Sequence, residues 1–168
     1  YVLHILPGLI ARLSEHASVT IITNKQADLF FGFSKMGKVY IPDLVHTEKT
    51  FDLVFVPHQI YRIAHLAFIN RISPRWIVTI HDVIAQRCTS LQDADRDMCT
   101  RLTLQLSQST ITVTNAARRD IQSYMAKEPL PNIHVVHHGY SEISEDVDTT
   151  RTPTKKPFIL VIGNHFDH

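Results

Sequence analysis

Short, nearly continuous apolar runs alternate along this chain with longer segments in which apolar residues return every three or four positions. The runs are Val19–Thr23, Phe51–Val56, Trp76–Ile80, Thr110–Val113, Ile133–His137 and Phe158–Ile162. Short, β-branched and apolar on successive positions, they read as strands buried on both faces. Leu3, Leu6, Leu9, Ile10 and Leu13 predict an opening helix with one buried stripe, which Pro7 kinks early or starts late. Ile60, Ile63, Ala64, Ala67 and Phe68 mark one face of a helix over 59–72, and Met98, Leu102 and Leu106 that of a helix over 93–108. A further helix runs over 115–126 with Asn115 as its cap. Strands that alternate with helices in this way predict the α/β class: a three-layer, Rossmann-like domain with a parallel sheet.

The stretch from Ser141 to Lys156 breaks the pattern. It is acidic, then rich in Thr and Pro, and reads as a linker. The expected organisation is a domain over 1–140, a linker over 141–156, and the first strand of a second domain over 157–168. A start on a helical pattern without methionine, and a stop just after a strand, fit a piece of a longer protein.

Composition changes this picture little. With 168 residues, 44% of them hydrophobic and 20% charged, the chain has the make-up of an ordinary folded domain. Its formal net charge of +1 provides no electrostatic footprint for nucleic acid, and none is expected as a partner. The pairs Arg118-Arg119 and Lys155-Lys156 are isolated. Cys88 and Cys99 lack CxxC spacing and read as reduced thiols of a cytoplasmic protein. No apolar run reaches the roughly 18–20 residues that would span a bilayer.

Parallel sheets of this kind hold ligands at the carboxyl ends of their strands, so the residues just past each run are the candidates for chemistry. These are His58 and Gln59, then His81 and Asp82, then Thr114 and Asn115 at a helix N-terminus, then His138 and Gly139, and last Gly163, Asn164 and His165. Each has an ordinary structural reading beside the functional one. A histidine at a strand end commonly serves as a hydrogen-bonded structural residue, and eleven histidines make chance placements frequent. Asp82 suits a turn or a helix cap as well as a ligand. No HExxH helix is present, and the adjacent His137 and His138 point to opposite faces of a strand, so no metal is expected. No GxSxG elbow, GxGxxG turn or Walker loop follows any strand.

Four segments, read in order, resemble the retaining, nucleotide-sugar-dependent glycosyltransferases of family 4, whose architecture (GT-B) has two Rossmann-like domains. They are Val78-Thr79-Ile80-His81-Asp82-Val83-Ile84, then Ile111-Thr112-Val113-Thr114-Asn115-Ala116-Ala117-Arg118-Arg119-Asp120-Ile121, then Val135-Val136-His137-His138-Gly139-Tyr140, and Pro157-Phe158-Ile159-Leu160-Val161-Ile162-Gly163-Asn164. The resemblance spans most of the chain and is faint between Asn24 and Lys49. It implies an N-terminal half that binds a glycan, lipid or small-molecule acceptor, with a nucleotide-sugar donor held mainly by a second domain. The donor is then a co-substrate, and no cofactor is implied. By the same comparison His81 contacts the donor sugar near the diphosphate; Asp82, His58, Asn115, His138, Gly139 and Asn164, from their places at the strand tips, are expected to bind substrate. His138 stands where the family has an asparagine. Where the acceptor is a lipid, the resemblance brings peripheral membrane contact into view, although no basic amphipathic helix calls for it.

One reading from another class stands beside this one: a non-catalytic Rossmann-like module that binds or senses a small ligand. A phosphate-receiver domain would need acidic residues clustered after its first strand, and none is there.

Overall fold

A computed structural model of the chain describes residues 2–42, 48–87, 93–126, 128–129 and 132–139. The linker and the final strand expected from the sequence lie outside the described residues, as does Asn164.

The order of elements is α1 (Val2–Ser14), β1 (Ile21–Ile22), α2 (Lys25–Phe31), a 3-10 turn (Phe33–Lys35), β2 (Val39–Tyr40), β3 (Val54–Val56), α3 (Ile63–Ile72), β4 (Trp76–Thr79), α4 (Ile84–Arg87), α5 (Ala94–Leu106), β5 (Ser109–Thr112), α6 (Asn115–Tyr124) and β6 (Asn132–Val135). The class is α/β, with parallel strands and flanking helices. The main sheet runs β3-β4-β5-β6, so each strand lies beside its sequence neighbour. Every pair is parallel: Val54 faces Trp76, Ile77 faces Ser109, and Ser109 faces Asn132. Parallel neighbours need a crossover between them, which α3, α5 and α6 supply.

β1 belongs to a separate two-stranded parallel sheet, Ile21 against Val39 and Ile22 against Tyr40. The apolar pattern predicts a longer first strand in one continuous sheet and does not reveal β2. These strands are short, and of the two only Ile22 packs against the main core, joined there by Phe51 from the approach to β3.

β4 is the best covered strand. Val78 and Thr79, which point to opposite faces, are both 0% exposed. Trp76 at its start is buried and donates its indole N–H to Asn70 Oδ1 at 2.9 Å. β6 is the opposite case, an edge strand with Asn132 and His134 exposed.

Two helical faces differ from the expected ones. α3 starts at Ile63 rather than Gln59 and buries Leu66, Phe68, Ile69 and Ile72, leaving Ile63, Ala64 and Ala67 outward. Phe68 is buried as expected, while the rest of the buried stripe, Leu66, Ile69 and Ile72, lies off the expected face. α5 buries Cys99, Thr100, Thr103 and Leu104, while Met98 and Leu106 are exposed. Leu102, the middle residue of the expected stripe, is partly buried and packs against the core. α1 runs straight through Pro7, and none of its described side chains is fully buried. Pro7 is the sixth residue of α1, so the helix forgoes the bond that an N–H there would make to the Leu3 carbonyl.

Candidate functional site

The carboxyl ends of β3, β4 and β6 converge. Backbone pairing continues one step past β4, where the Ile80 N–H donates to the Ile111 carbonyl at 2.8 Å. The next two residues, His81 and Asp82, therefore leave the sheet at its centre and are half-buried. β6 continues likewise: Val136 N–H reaches the Thr112 carbonyl at 2.8 Å, and His137 Nδ1 donates to the Val113 carbonyl at 3.1 Å. This fastens the chain just before His138. The His81 and His138 rings then meet edge to face, centroids 5.5 Å apart at 62°.

β3 brings the third group. Pro57 ends the strand, and His58 Nδ1 donates to the Gln59 carbonyl at 2.9 Å. Gln59 reaches across to β4, its Nε2 donating to the Asp82 carbonyl at 2.7 Å, and the Tyr61 hydroxyl donates to Gln59 Oε1 at 2.9 Å. The Asp82 carboxylate accepts from the Ile84 N–H at 3.0 Å and so opens α4. Beneath this loop Ile60 is buried, and its carbonyl accepts from the Cys99 thiol at 3.3 Å.

An open cleft of ≈ 370 Å³ sits here, lined by His58, Gln59, Tyr61, Arg62, His65 and His81. His65 is one turn ahead of Ile69 on the sheet-facing side of α3. It is exposed. Arg96 from α5 lies 5.1 Å above the Tyr61 ring.

Electrostatics set the protonation of the central group. Burial lowers the His81 pKa from its ordinary value, and repulsion from His138 and, more weakly, from His58 lowers it further. The Asp82 carboxylate pulls the other way without prevailing. His81 is thereby kept neutral near pH 7.

His81, Asp82, His58 and His138 are thus brought to one edge of the sheet. Asn115 lies at the next strand tip, exposed, as the first residue of α6. The cap is Thr114, whose hydroxyl accepts from the Ala117 N–H at 3.0 Å, which corrects the capping role expected of Asn115. Thr114 wins because its backbone is extended while Asn115 is already helical. Gly139 has no positive φ, and a Cβ there would meet nothing within 4 Å. Tyr61, Arg62 and His65 are absent from the residues singled out in the sequence, since the apolar pattern places them inside a helix. The signal for them was the run His58-Gln59-Ile60-Tyr61-Arg62-Ile63-Ala64-His65, cationic and aromatic directly after a strand.

Among the described residues no group of three or more His, Cys, Asp or Glu is arranged to hold a metal ion, and no helix is long and apolar enough to cross a membrane. No family model, no curated protein and no solved structure matches the chain.

Proposed function

We propose that this chain is the acceptor-side half of a retaining glycosyltransferase, which moves a sugar from a nucleotide-sugar donor to an acceptor hydroxyl. The observation that carries the reading is His81, held neutral at the tip of the central strand with His138, His58 and the Asp82 turn around it. In such a transfer the bond between the anomeric carbon and the diphosphate oxygen breaks, and the acceptor oxygen takes its place on the same face as its proton passes to the departing diphosphate oxygen. Negative charge grows on the diphosphate. A pre-positioned imidazole N–H at a strand end stabilises that charge more in the transition state than in the ground state. In this reading His81 is the catalytic residue. Asp82 shapes the loop that carries it, and His58, His138, Asn115, Gly139 and Asn164 contribute to substrate binding. The donor's other contacts come from a second domain.

The test is nucleotide release from UDP-, GDP- and ADP-sugars by the protein that contains this chain with its second domain, beside its His81→Ala variant. Removing one donor to developing charge should slow release about 100-fold or more while the circular dichroism spectrum persists. Neither turnover nor binding across the panel, from a folded protein, would sink the transferase reading. The alternative reading is a non-catalytic ligand-binding module. That module predicts small-molecule binding with no turnover.

A further inference from the structure

We infer that the cleft between the β3–α3 loop and the tip of β4 takes a single anionic group, a phosphate or carboxylate carried by the acceptor. The word acceptor rests on the transferase reading above; the anion does not.

Of the cleft's six lining residues, Arg62 carries a fixed positive charge and His58, His65 and His81 are imidazoles. The two others are neutral and engaged with the loop: Tyr61 donates to Gln59, and Gln59 donates to the Asp82 backbone. No carboxylate lines it. Asp82 follows His81 directly, yet it is not among the lining residues, and its carboxylate accepts from the Ile84 N–H. The walls therefore offer N–H donors and the Arg62 charge, while the Asp82 carboxylate acts on His81 and Tyr61 from just outside them. The guanidinium of Arg62 suits the paired oxygens of a phosphate or carboxylate, which it can grip with two parallel hydrogen bonds. His58 has its Nδ1 occupied by the Gln59 carbonyl, so Nε2 is the atom it can offer a ligand.

Size restricts the ligand further. At ≈ 370 Å³ the cleft lies near the lower end of the range for small-molecule sites, about 300–1,000 Å³. That suits a phosphate- or carboxylate-bearing sugar or headgroup. The cleft also sits at the β3 side of the sheet, the edge opposite β6. A donor lying over His81 and His138 leaves this side to the second substrate.

The experiment is a titration of the chain with inorganic phosphate at pH 7 and constant ionic strength, followed by the imidazole carbon–proton signals. Saturable shifts of His58, His65 and His81 are expected. Arg62→Ala should weaken binding about tenfold, and Arg62→Lys less, since it keeps the charge but loses the fork. Arg62 is exposed, so the fold should survive, and an unchanged methyl spectrum would confirm that. Arg119→Ala, on α6 and not among the lining residues, should bind as the parent does. Absence of saturation up to about 50 mM phosphate, where even a weak contact registers, would overturn the inference. So would equal affinity in Arg62→Ala, or the same shifts from uncharged glucose. UDP that binds at these residues more than about tenfold tighter than methyl phosphate would hand the cleft to the donor's diphosphate and overturn its assignment to the acceptor. The two readings fail separately. Nucleotide release without phosphate binding removes this inference alone, whereas phosphate binding without release leaves the anion site standing and removes the transferase.

Discussion

The Gln59 side chain donates to the Asp82 backbone carbonyl at 2.7 Å, and this bond ties together two loops 23 residues apart in the chain. It joins the carboxyl end of β3 to that of β4 and sets the spacing of His58 and His81. Gln59→Leu keeps the bulk and removes both of the side chain's hydrogen bonds. The expected loss of stability is about 1–2 kcal/mol, because the Asp82 carbonyl and Tyr61 hydroxyl both lose a partner. Urea unfolding measures the loss, and the His58 and His81 ring signals should move with it. Unchanged stability would mean that the buried Ile60 alone holds the loop.

His81 should titrate below about 6.5, the ordinary histidine value. Burial disfavours its charged form first, and the neighbouring His138 adds repulsion. The sign for stability follows. The folded state favours neutral His81, so its contribution is unimpaired above about pH 6.5 and is lost as pH falls from there toward the folded value. Replacement of His138 by asparagine removes the like charge and leaves burial in place. Its expected effect is a titration midpoint that rises but stays below the ordinary value, read from the pH dependence of the His81 ring proton. A midpoint that fails to rise would assign the whole depression to burial.

Tyr124 and Asp97 join α6 to α5. The Tyr124 hydroxyl donates to Asp97 Oδ1 at 2.6 Å, and Arg101 bridges Asp97 at 2.9 Å and Glu128 at 2.6 Å. Burial alone would raise the Asp97 pKa, but the hydrogen bonds from Tyr124 and Arg101 hold it below the ordinary carboxylate value. Burial and the Asp97 bond push the Tyr124 phenol well above its own. Asp97 thus stabilises the fold above about pH 4, and that contribution disappears as pH falls through its folded value. Tyr124 stabilises below about pH 10, and its contribution declines as pH rises from there toward the folded value. Tyr124→Phe should cost about 1–2 kcal/mol near pH 7. It should also flatten the alkaline decline, which thermal melts at pH 7 and above pH 10 would show.

Thr112 ends β5 fully buried, and its hydroxyl has no hydrogen-bond partner. A buried hydroxyl without a partner costs about 1–3 kcal/mol, and valine has nearly its shape. Thr112→Val is therefore expected to raise stability by about 1 kcal/mol, measurable as a higher denaturant midpoint at constant slope. A lower midpoint would show that the hydroxyl is satisfied.

The strand ends were legible in the sequence for a simple reason. Trp76-Ile77-Val78-Thr79-Ile80 is too short and too evenly apolar for a surface helix, and whatever follows such a strand in a parallel sheet must emerge at its carboxyl edge. His81 and Asp82 were found in that way. Arg62 and His65 were not, because the periodic residues from Ile60 to Phe68 match a helix that begins four positions too early. An apolar Ile60 fits a helical stripe as well as it fits a buried loop anchor, and only the contact beneath the loop separates the two.

By itself the chain determined that its strands would be parallel and alternate with helices, since runs apolar on both faces cannot remain half-solvated. It also determined which residues would stand at the strand tips. The tertiary structure decided which face of each helix turned inward, because α3 carries apolar residues on two sides and burial goes to the side offering more area to the sheet. It decided as well which tips would meet. His58, His81 and His138 are scattered along the sequence, and they become neighbours through the lateral order of the strands and the hydrogen bonds that fix their loops, which no local pattern records.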